Sequence, residues 1–445
     1  MELRGIKYKK IYGYLSGELT FKTGENFLVG INGCGKTTVL NLIKWLLEPS
    51  LADLCTLDHE YVSLEFKHEK YLYTLKSEIK NSIHELQLIT KDKTHNYHPI
   101  TTTLHLSPNL LKNQEFINEA KKRYSSMTPD LNEVATWHFL VEELPSPVFI
   151  GLGRSIDGKY LLGSHKRSAV LRERNRPESL PAATIATELM RDAYNTVRQQ
   201  IVEINEDLNR KVLELSFSGL IRNSSGKNKS RLTEIRSKIS KLKENFTTSS
   251  GKGKYSKTLS DQGVRNAIIE YLKGLEKLLD QSKAVDQIML ILNGHNFERA
   301  ANMFDLFEEH ENRAREAQSE IDTFTEVVNE FITDSGKKIN FHNDTGTPYF
   351  TRNADNRRML LCDLSSGEAQ IVILLTYFAF LAKKGVPIII DEPELSLHVQ
   401  WQEKFVTSVK RVLPSECQTL MATHSPEICG AEEVNVQPIT VSSNQ

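Results

Sequence analysis

Apolar and polar residues alternate in three ways along the chain, and each predicts a different kind of structure. Up to about residue 100 the apolar runs are short. Residues 19–21 and 26–30 are β-prone, residues 37–47 have helical spacing, and residues 61–66, 71–77 and 84–90 alternate apolar with polar positions. A period of two belongs to a strand with one buried face, so the last three predict a meander with polar turns. Residues 148–151, after Pro145 and Pro147, predict one more buried strand. From residue 181 the period becomes helical. Ile185, Leu189, Val197, Ile201, Ile204, Leu208, Val212 and Leu215 recur every three or four residues, and no Gly or Pro interrupts residues 184–218. Leu232, Ile235, Ile239 and Leu242 continue the stripe, as do Ile321, Phe324, Val328 and Phe331. Such a stripe predicts a long helical hairpin, coiled-coil-like but with irregular heptads. Ser, Gly and Lys crowd residues 223–258, which predicts a mobile tip.

From residue 337 the pattern returns to α/β. Strands are predicted at 338–341 and 349–351, a helix at 366–384, a buried strand at 386–390, a helix at 397–413 and a strand at 417–422. Leu397, Trp401, Phe405 and Val409 share one face of the last helix. The expected organisation is therefore an N-terminal lobe at 1–180, a helical insertion at 181–335 and a C-terminal lobe at 336–445.

Composition changes this picture little. Hydrophobic residues make up 39% and the net charge is −1, so there is material for large cores and no global attraction to nucleic acid or membrane. Cys34, Cys55, Cys362, Cys417 and Cys429 are scattered without metal-binding spacing, which favours free thiols in a reducing compartment. The longest apolar run, around residues 371–382, is too short to span a membrane, and the first residues lack the apolar core of a signal peptide. A cytoplasmic protein with no membrane partner is expected.

The chemistry concentrates in four short segments. Gly30-Ile-Asn-Gly-Cys-Gly-Lys36-Thr37-Thr38 fits G-x-x-x-x-G-K-[ST] between a strand and a helix. Such a loop turns backbone N–H groups inward around phosphates, and the helix N-terminus adds its dipole. Asn32, Gly33, Cys34, Gly35, Lys36, Thr37 and Thr38 are thus the expected ATP contacts, with Lys36 neutralising phosphate and the Thr37 hydroxyl on Mg²⁺. Val386-Pro-Ile-Ile-Ile-Asp391-Glu392 is an apolar strand ending in two carboxylates: Asp391 for Mg²⁺, Glu392 to polarise the attacking water. Leu364-Ser365-Ser366-Gly367-Glu368 opens a long apolar helix about 25 residues before that strand, and Met421-Ala-Thr-His424-Ser-Pro places a histidine at the end of a β-prone run.

Taken together, the four segments resemble ABC-type ATPases. Ser365, Ser366, Gly367 and Glu368 resemble the LSGGQ signature, which contacts the γ-phosphate held by a partner subunit; His424 resembles the switch histidine. Asp391-Glu-Pro-Glu-Leu-Ser-Leu-His398, with Gln402 beyond it, resembles the DEPExxLH pattern of OLD- and RecF-like ATPases. The long excursion between P-loop and signature is similar to the split heads of SMC proteins. This resemblance implies an α/β head built from both ends of the chain, a helical arm, and Mg-ATP hydrolysis at sites completed by a second copy of the chain. Transporter cassettes differ in the segment after Asp391 and lack such an excursion.

OLD nucleases carry a TOPRIM domain, but only about 20 residues follow His424, and they hold no acidic cluster. No intrinsic nuclease is expected. An OLD-like ATPase without its own nuclease is similar in layout to the ATPase subunits of the PARIS and Septu anti-phage systems, which work with a TOPRIM and an HNH effector respectively; no motif separates the two. The implied role is regulation of a separate effector, with nucleic acid or a phage protein as a further partner. The alternative is DNA repair or chromosome maintenance of the RecF or SMC kind.

Four weaker signals remain. Gln87 is a Q-loop candidate by position only. Arg222, Lys227, Lys229, Arg231, Arg236, Lys238, Lys241, Lys243, Lys252, Lys254 and Lys257 make a basic run that suits either an acidic partner or plain solvation, while 305–330 is acidic and reads as an exposed helix face. Arg154 suits a phosphate or an ion pair. Lys9 and Lys10 are candidates for flanking adenine.

Overall fold

The computed structural model describes residues 1–90, 97–104, 114–152, 181–217, 237–241, 243, 262–280, 294–414, 416–430 and 435–439. Along the chain, β1 (Glu2–Ile11), β2 (Leu15–Thr20) and β3 (Glu25–Val29) precede the P-loop helix Lys36–Leu47. Then come β4 (Tyr61–His68), β5 (Tyr71–Lys80), β6 (Ile83–Thr90), β7 (Ile100–Thr103) and β8 (Val148–Ile150). After the long helices follow β9 (Lys337–Phe341), β10 (Pro348–Arg352), β11 (Arg358–Met359), the helix Ser366–Phe380, β12 (Ile388–Asp391), the helix Val399–Val412, β13 (Thr419–Thr423) and β14 (Asn435–Pro438).

Three sheets result among the described residues. The order β2-β1-β4-β5-β6-β7 makes an antiparallel sheet, β11-β10-β9 a small one, and β14-β3-β13-β12-β8 a five-stranded parallel sheet. A parallel sheet covered on both faces needs strands apolar throughout. β12 and β13 are buried at every position, and the helix Ser366–Phe380 is apolar on nearly all sides because it too is enclosed.

The chain divides into two compact units, 1–192 with 323–445, and 193–322. The helices Ala182–Phe217 and Gly294–Ile332 cross both divisions, so neither falls where the hydrophobic period suggests, at 180 and 336. The roots of these helices belong to the first unit by packing: Ile185, Ala186, Leu189, Met190, Phe324, Val327, Val328 and Phe331 lie in the core that also holds Ile388 and Ile390. A continuous period does not reveal where the packing partner changes.

The second unit has a core of Leu208, Ile239, Leu272, Leu275, Phe297, Ala300, Phe304 and Phe307. Its polar contacts join distant stretches of chain: His310 Nε2 to Asn205 Oδ1 at 2.8 Å, Arg313 to Asp207 at 2.7 Å and Lys211 to Glu309 at 3.1 Å. Two lysines of the basic run also turn inward. Lys238 pairs with Asp305 at 2.9 Å, and Lys243 pairs with Glu276. Lys238 thus brings the basic run against the acidic stretch at Asp305, while Lys243 pairs outside that stretch. Of that run only Lys238, Lys241 and Lys243 fall within the described residues; the others, and Arg154, lie outside them.

In the antiparallel sheet the inward face carries a buried polar chain. His59 Nδ1 donates to the Leu57 carbonyl at 3.0 Å, so its Nε2 must accept; the Ser77 hydroxyl donates to it at 2.9 Å and accepts from His84 Nε2 at 2.9 Å. The chain of bonds closes with both rings neutral, and among the described residues His84 Nδ1 is left without a partner. Burial holds His59 below the usual histidine range, and burial together with the nearby His59 ring takes His84 down to about 3. The unfolded chain therefore takes up protons below about pH 6.5 that the folded chain refuses, and stability falls as the pH drops from there towards 3. We expect His84 to account for about 2 kcal/mol of the loss between pH 7.5 and 5. Urea melts at the two pH values, wild type against His84→Gln, check this: the variant should lose less on acidification, and an equal loss would remove the histidine from that role.

Candidate ATP site

The site is built on the C-terminal edge of the parallel sheet, where open α/β sheets bind ligands. β3 runs into the P-loop, its neighbour β13 runs into His424, and β12 beyond it ends in Asp391 and Glu392. Register puts Asp391 beside Ala422 and Thr423 beside Val29, so the three segments reach the same level. The Glu392 N–H continues the ladder by one bond, to the Ala422 carbonyl at 2.8 Å.

The P-loop closes as its glycines require. Gly33 and Gly35 take left-handed backbone, with φ of 82° and 102°, and Gly35 caps the helix that begins at Lys36. Lys36 is buried at 5% exposure, and its ammonium donates to the carbonyls of Gly30 at 2.7 Å and Ile31 at 3.3 Å. Cys34 is buried beneath the loop, Thr38 is half-buried, and Asn32, Gly33 and Thr37 are exposed. The Thr37 hydroxyl donates to Asp391 Oδ2 at 2.7 Å and ties the P-loop helix to β12.

Asp391 is 1% exposed. Burial pushes its carboxyl up, the Thr37 hydrogen bond and Lys36 act against that, and Glu392 adds to it. A hydroxyl and a buried carboxylate in contact, beside a loop of inward N–H groups, form a hard-oxygen donor set that fits Mg²⁺ and a polyphosphate. Thr37 and Asp391 would hold the cation, which when bound neutralises phosphate charge. Lys36 and the amides of residues 33–38 would hold the phosphates.

Glu392 takes left-handed backbone, φ 47°, unusual for a residue with a side chain. That turn carries its carboxylate back towards β13, 3.9 Å from His424 Nδ1. His424 is exposed while its neighbours are buried. Ser425 braces this end: its hydroxyl donates to Gln402 Oε1 at 2.6 Å, and the Gln402 amide donates to the Leu397 carbonyl at 2.8 Å.

In the signature segment, Ser365 caps the helix Ser366–Phe380 and Glu368 completes a capping box, accepting from the Ser365 N–H at 2.8 Å and hydroxyl at 2.7 Å. Glu368 is also gripped by Lys337 at 2.7 and 2.8 Å and by the Ser335 hydroxyl. Burial alone would raise its carboxyl, but these partners outweigh it and hold the group at about 2. Its carboxylate therefore orders the signature from within, whereas Ser365 and Ser366 stand exposed. Removing one partner of such a buried pair costs about 3–5 kcal/mol. A Cβ on Gly367 would come 2.7 Å from the Ser396 carbonyl, so only glycine lets the signature lie against the segment after Asp391.

The weaker candidates fall elsewhere. Gln87 lies in β6 of the antiparallel sheet, bonded to Glu85 at 2.8 Å. Lys9 and Lys10 pair with Glu60 at 2.6 and 2.8 Å. In the acidic stretch 305–330, Glu326 and Glu330 pair with Arg411, and among the described residues no group of three or more His, Cys, Asp or Glu side chains is placed to hold a metal. Lys337 and Ser335 are absent from the sequence reading, and Ser425 stands in the His424 segment without a role, since nothing in their local sequence signals contacts made across the fold.

The AAA ATPase domain profile matches residues 12–429. The chain belongs to that family. With the P-loop, the Asp391–Glu392 strand end and His424 on one sheet edge, it is an ABC-like ATPase head with a helical insertion, as the motifs imply. A stretch of 48 residues is 44% identical to the Septu protein PtuA of Bacillus thuringiensis, covering 11% of this chain and 12% of that protein. The chain is also similar to a solved Smc head domain with an extended coiled coil from Pyrococcus furiosus, at 13% identity and a TM-score of 0.37, over 96% of this chain and 91% of that one. Among the described residues no helix is long and apolar enough to cross a membrane.

Proposed function

We propose that two copies of the chain close on ATP at composite sites, and that this cycle gates a separately encoded effector nuclease in anti-phage defence. The observation that carries the ATPase part is the Thr37–Asp391 contact at 2.7 Å with Glu392 and His424 beside it. Lys36, Thr37, Asp391, Glu392 and His424 belong to one copy. Ser366 and Gly367 of the other meet the γ-phosphate through the N-terminus of their helix. Lys36 and the loop amides orient the phosphates, Asp391 and Thr37 fix the cation's place, and Glu392 draws a proton from the attacking water. The matched stretch of the Septu protein supports the defence role.

The test pairs the purified chain with a candidate effector of the TOPRIM or HNH class. Cleavage of DNA or RNA should require both chains, respond to ATP, and protect cells from phage. The chain alone should cut neither substrate with Mg²⁺ or Mn²⁺. A nuclease activity that stays with the chain on repurification and disappears in a point variant would sink the separate effector. ATPase stimulated by DNA, with no effector response, would favour repair instead.

A further inference from the structure

Under the exposed ring of His424 lies a third carboxylate that neither the P-loop nor the Asp391–Glu392 pair uses. Glu394 is 5% exposed. Its Oε1 accepts the backbone N–H of His424 at 2.7 Å and lies 2.9 Å from the ring Nδ1. Oε2 is buried, with no hydrogen-bond partner among the described residues, so the bonding of this carboxylate is directed at His424. Glu394 itself is held by the backbone around it. Its carbonyl accepts the Leu397 N–H at 2.9 Å, and the segment carries left-handed residues on both sides, Glu392 at φ 47° and Ser396 at φ 63°. Around the pair stand Glu392, 3.9 Å from the same ring nitrogen, Asp391, and the Cys429 thiol, which burial and Glu394 push up.

We infer that Glu394 is the positioning residue of His424: it fixes the ring with Nδ1 protonated and turned inward, and leaves Nε2 as the atom presented to the nucleotide. Glu394 Oε1 already accepts the His424 N–H, so as an acceptor 2.9 Å from the ring it calls for the proton on Nδ1. The same oxygen holds the main chain of residue 424, so ring orientation and strand end are set by one group. A carboxylate behind a working imidazole selects its tautomer and orientation, and replacing it by the amide leaves the shape while releasing the tautomer. The inference rests on the ATPase reading above, in which His424 stands at the nucleotide beside Glu392; a neutral ring protonated at Nδ1 offers Nε2 as an acceptor, which suits the attacking water and not a phosphate oxygen.

The experiment uses the full chain with ¹⁵N-labelled histidine, the His424 signals being identified by their loss in His424→Gln. In the wild type the long-range ¹⁵N–¹H pattern should show Nδ1 protonated; in Glu394→Gln and Glu394→Ala that pattern should be lost. With ATP, both variants should lose about 10- to 100-fold in kcat while KM stays within about twofold. The inference is overturned by a wild-type ring protonated on Nε2 alone, by an unaltered pattern in both variants, or by variants that raise KM and spare kcat, the mark of a mere loop brace. Should Glu394→Ala fail to fold, the near-isosteric Glu394→Gln decides. A wild-type chain that hydrolyses no ATP would sink the ATPase reading but leave the ring pattern to be read by itself.

Discussion

Lys36→Ala should abolish ATP turnover, with a loss of about 10²- to 10³-fold or more in kcat/KM. Removing one preorganised donor aimed at developing charge has that cost in a site shielded from water. The sequence alone suggests a side chain in an open site, dispensable for folding. The structure differs: Lys36 is buried, and its ammonium closes the P-loop by bonding the Gly30 and Ile31 carbonyls. Phosphates entering the loop would compete for the same ammonium. Alanine therefore removes two things, the charge that meets phosphate and the tie that shapes the loop. Losing hydrogen bonds to a charged group costs about 1.5–3 kcal/mol each, so the variant should also melt a few degrees lower. The checks are steady-state phosphate release, calorimetric ATP binding and a thermal melt on one preparation. Wild-type turnover in the variant would remove the P-loop assignment; a lower melting point with intact turnover would leave Lys36 only as a loop tie.

What could be read in the sequence divides along physical lines. The meander strands, the P-loop helix and the Asp391 strand are legible because alternation and apolar runs report burial directly, and β4, β5, β6, β8, β12 and β13 lie within a few residues of their predicted places. β1, Glu2–Ile11, escapes the pattern although its partner β2 is next in sequence, because irregularities between Leu3 and Gly5 and between Tyr8 and Ile11 break its period of two. The signature helix stops at Phe380 rather than residue 384, since two lysines and Gly385, at φ 75°, turn the chain before β12. The helix after β12 begins at Val399 instead of residue 397 because the His398 ring caps it, an uncommon choice at that position.

The same division holds at the site. Motif residues were legible because phosphate chemistry constrains their type and spacing. Their supports were not: Lys337 reaches Glu368 over 31 residues, and Glu394 reaches His424 over 30. Such pairs are chosen by sheet order, which no local pattern encodes. Glu368 shows the consequence, being a signature residue by motif and a capping and ion-pair residue by geometry.

Glu392→Gln should retain ATP binding and lose hydrolysis by about 10²- to 10⁴-fold, the contribution of a positioned general base. The amide keeps the size and one acceptor of the carboxylate but cannot take a proton from water. The left-handed turn at residue 392 depends on main-chain bonding, above all the Glu392 N–H to the Ala422 carbonyl, so the substitution leaves the backbone in place. Losing one negative charge 3.9 Å from His424 and beside Asp391 should, if anything, favour a bound polyphosphate. Two copies closed on ATP would then have no route to reopen through hydrolysis. Light scattering with ATP and Mg²⁺ should show the wild type returning to its smaller mass as ATP is spent, while the variant holds the larger mass for as long as it is followed. ATP binding by calorimetry, on the same samples, separates a trapped closed pair from a chain that no longer binds. Hydrolysis at the wild-type rate would take the base role from Glu392. A variant that binds ATP, fails to hydrolyse it and stays at the smaller mass would confine the site to a single copy and sink the composite arrangement.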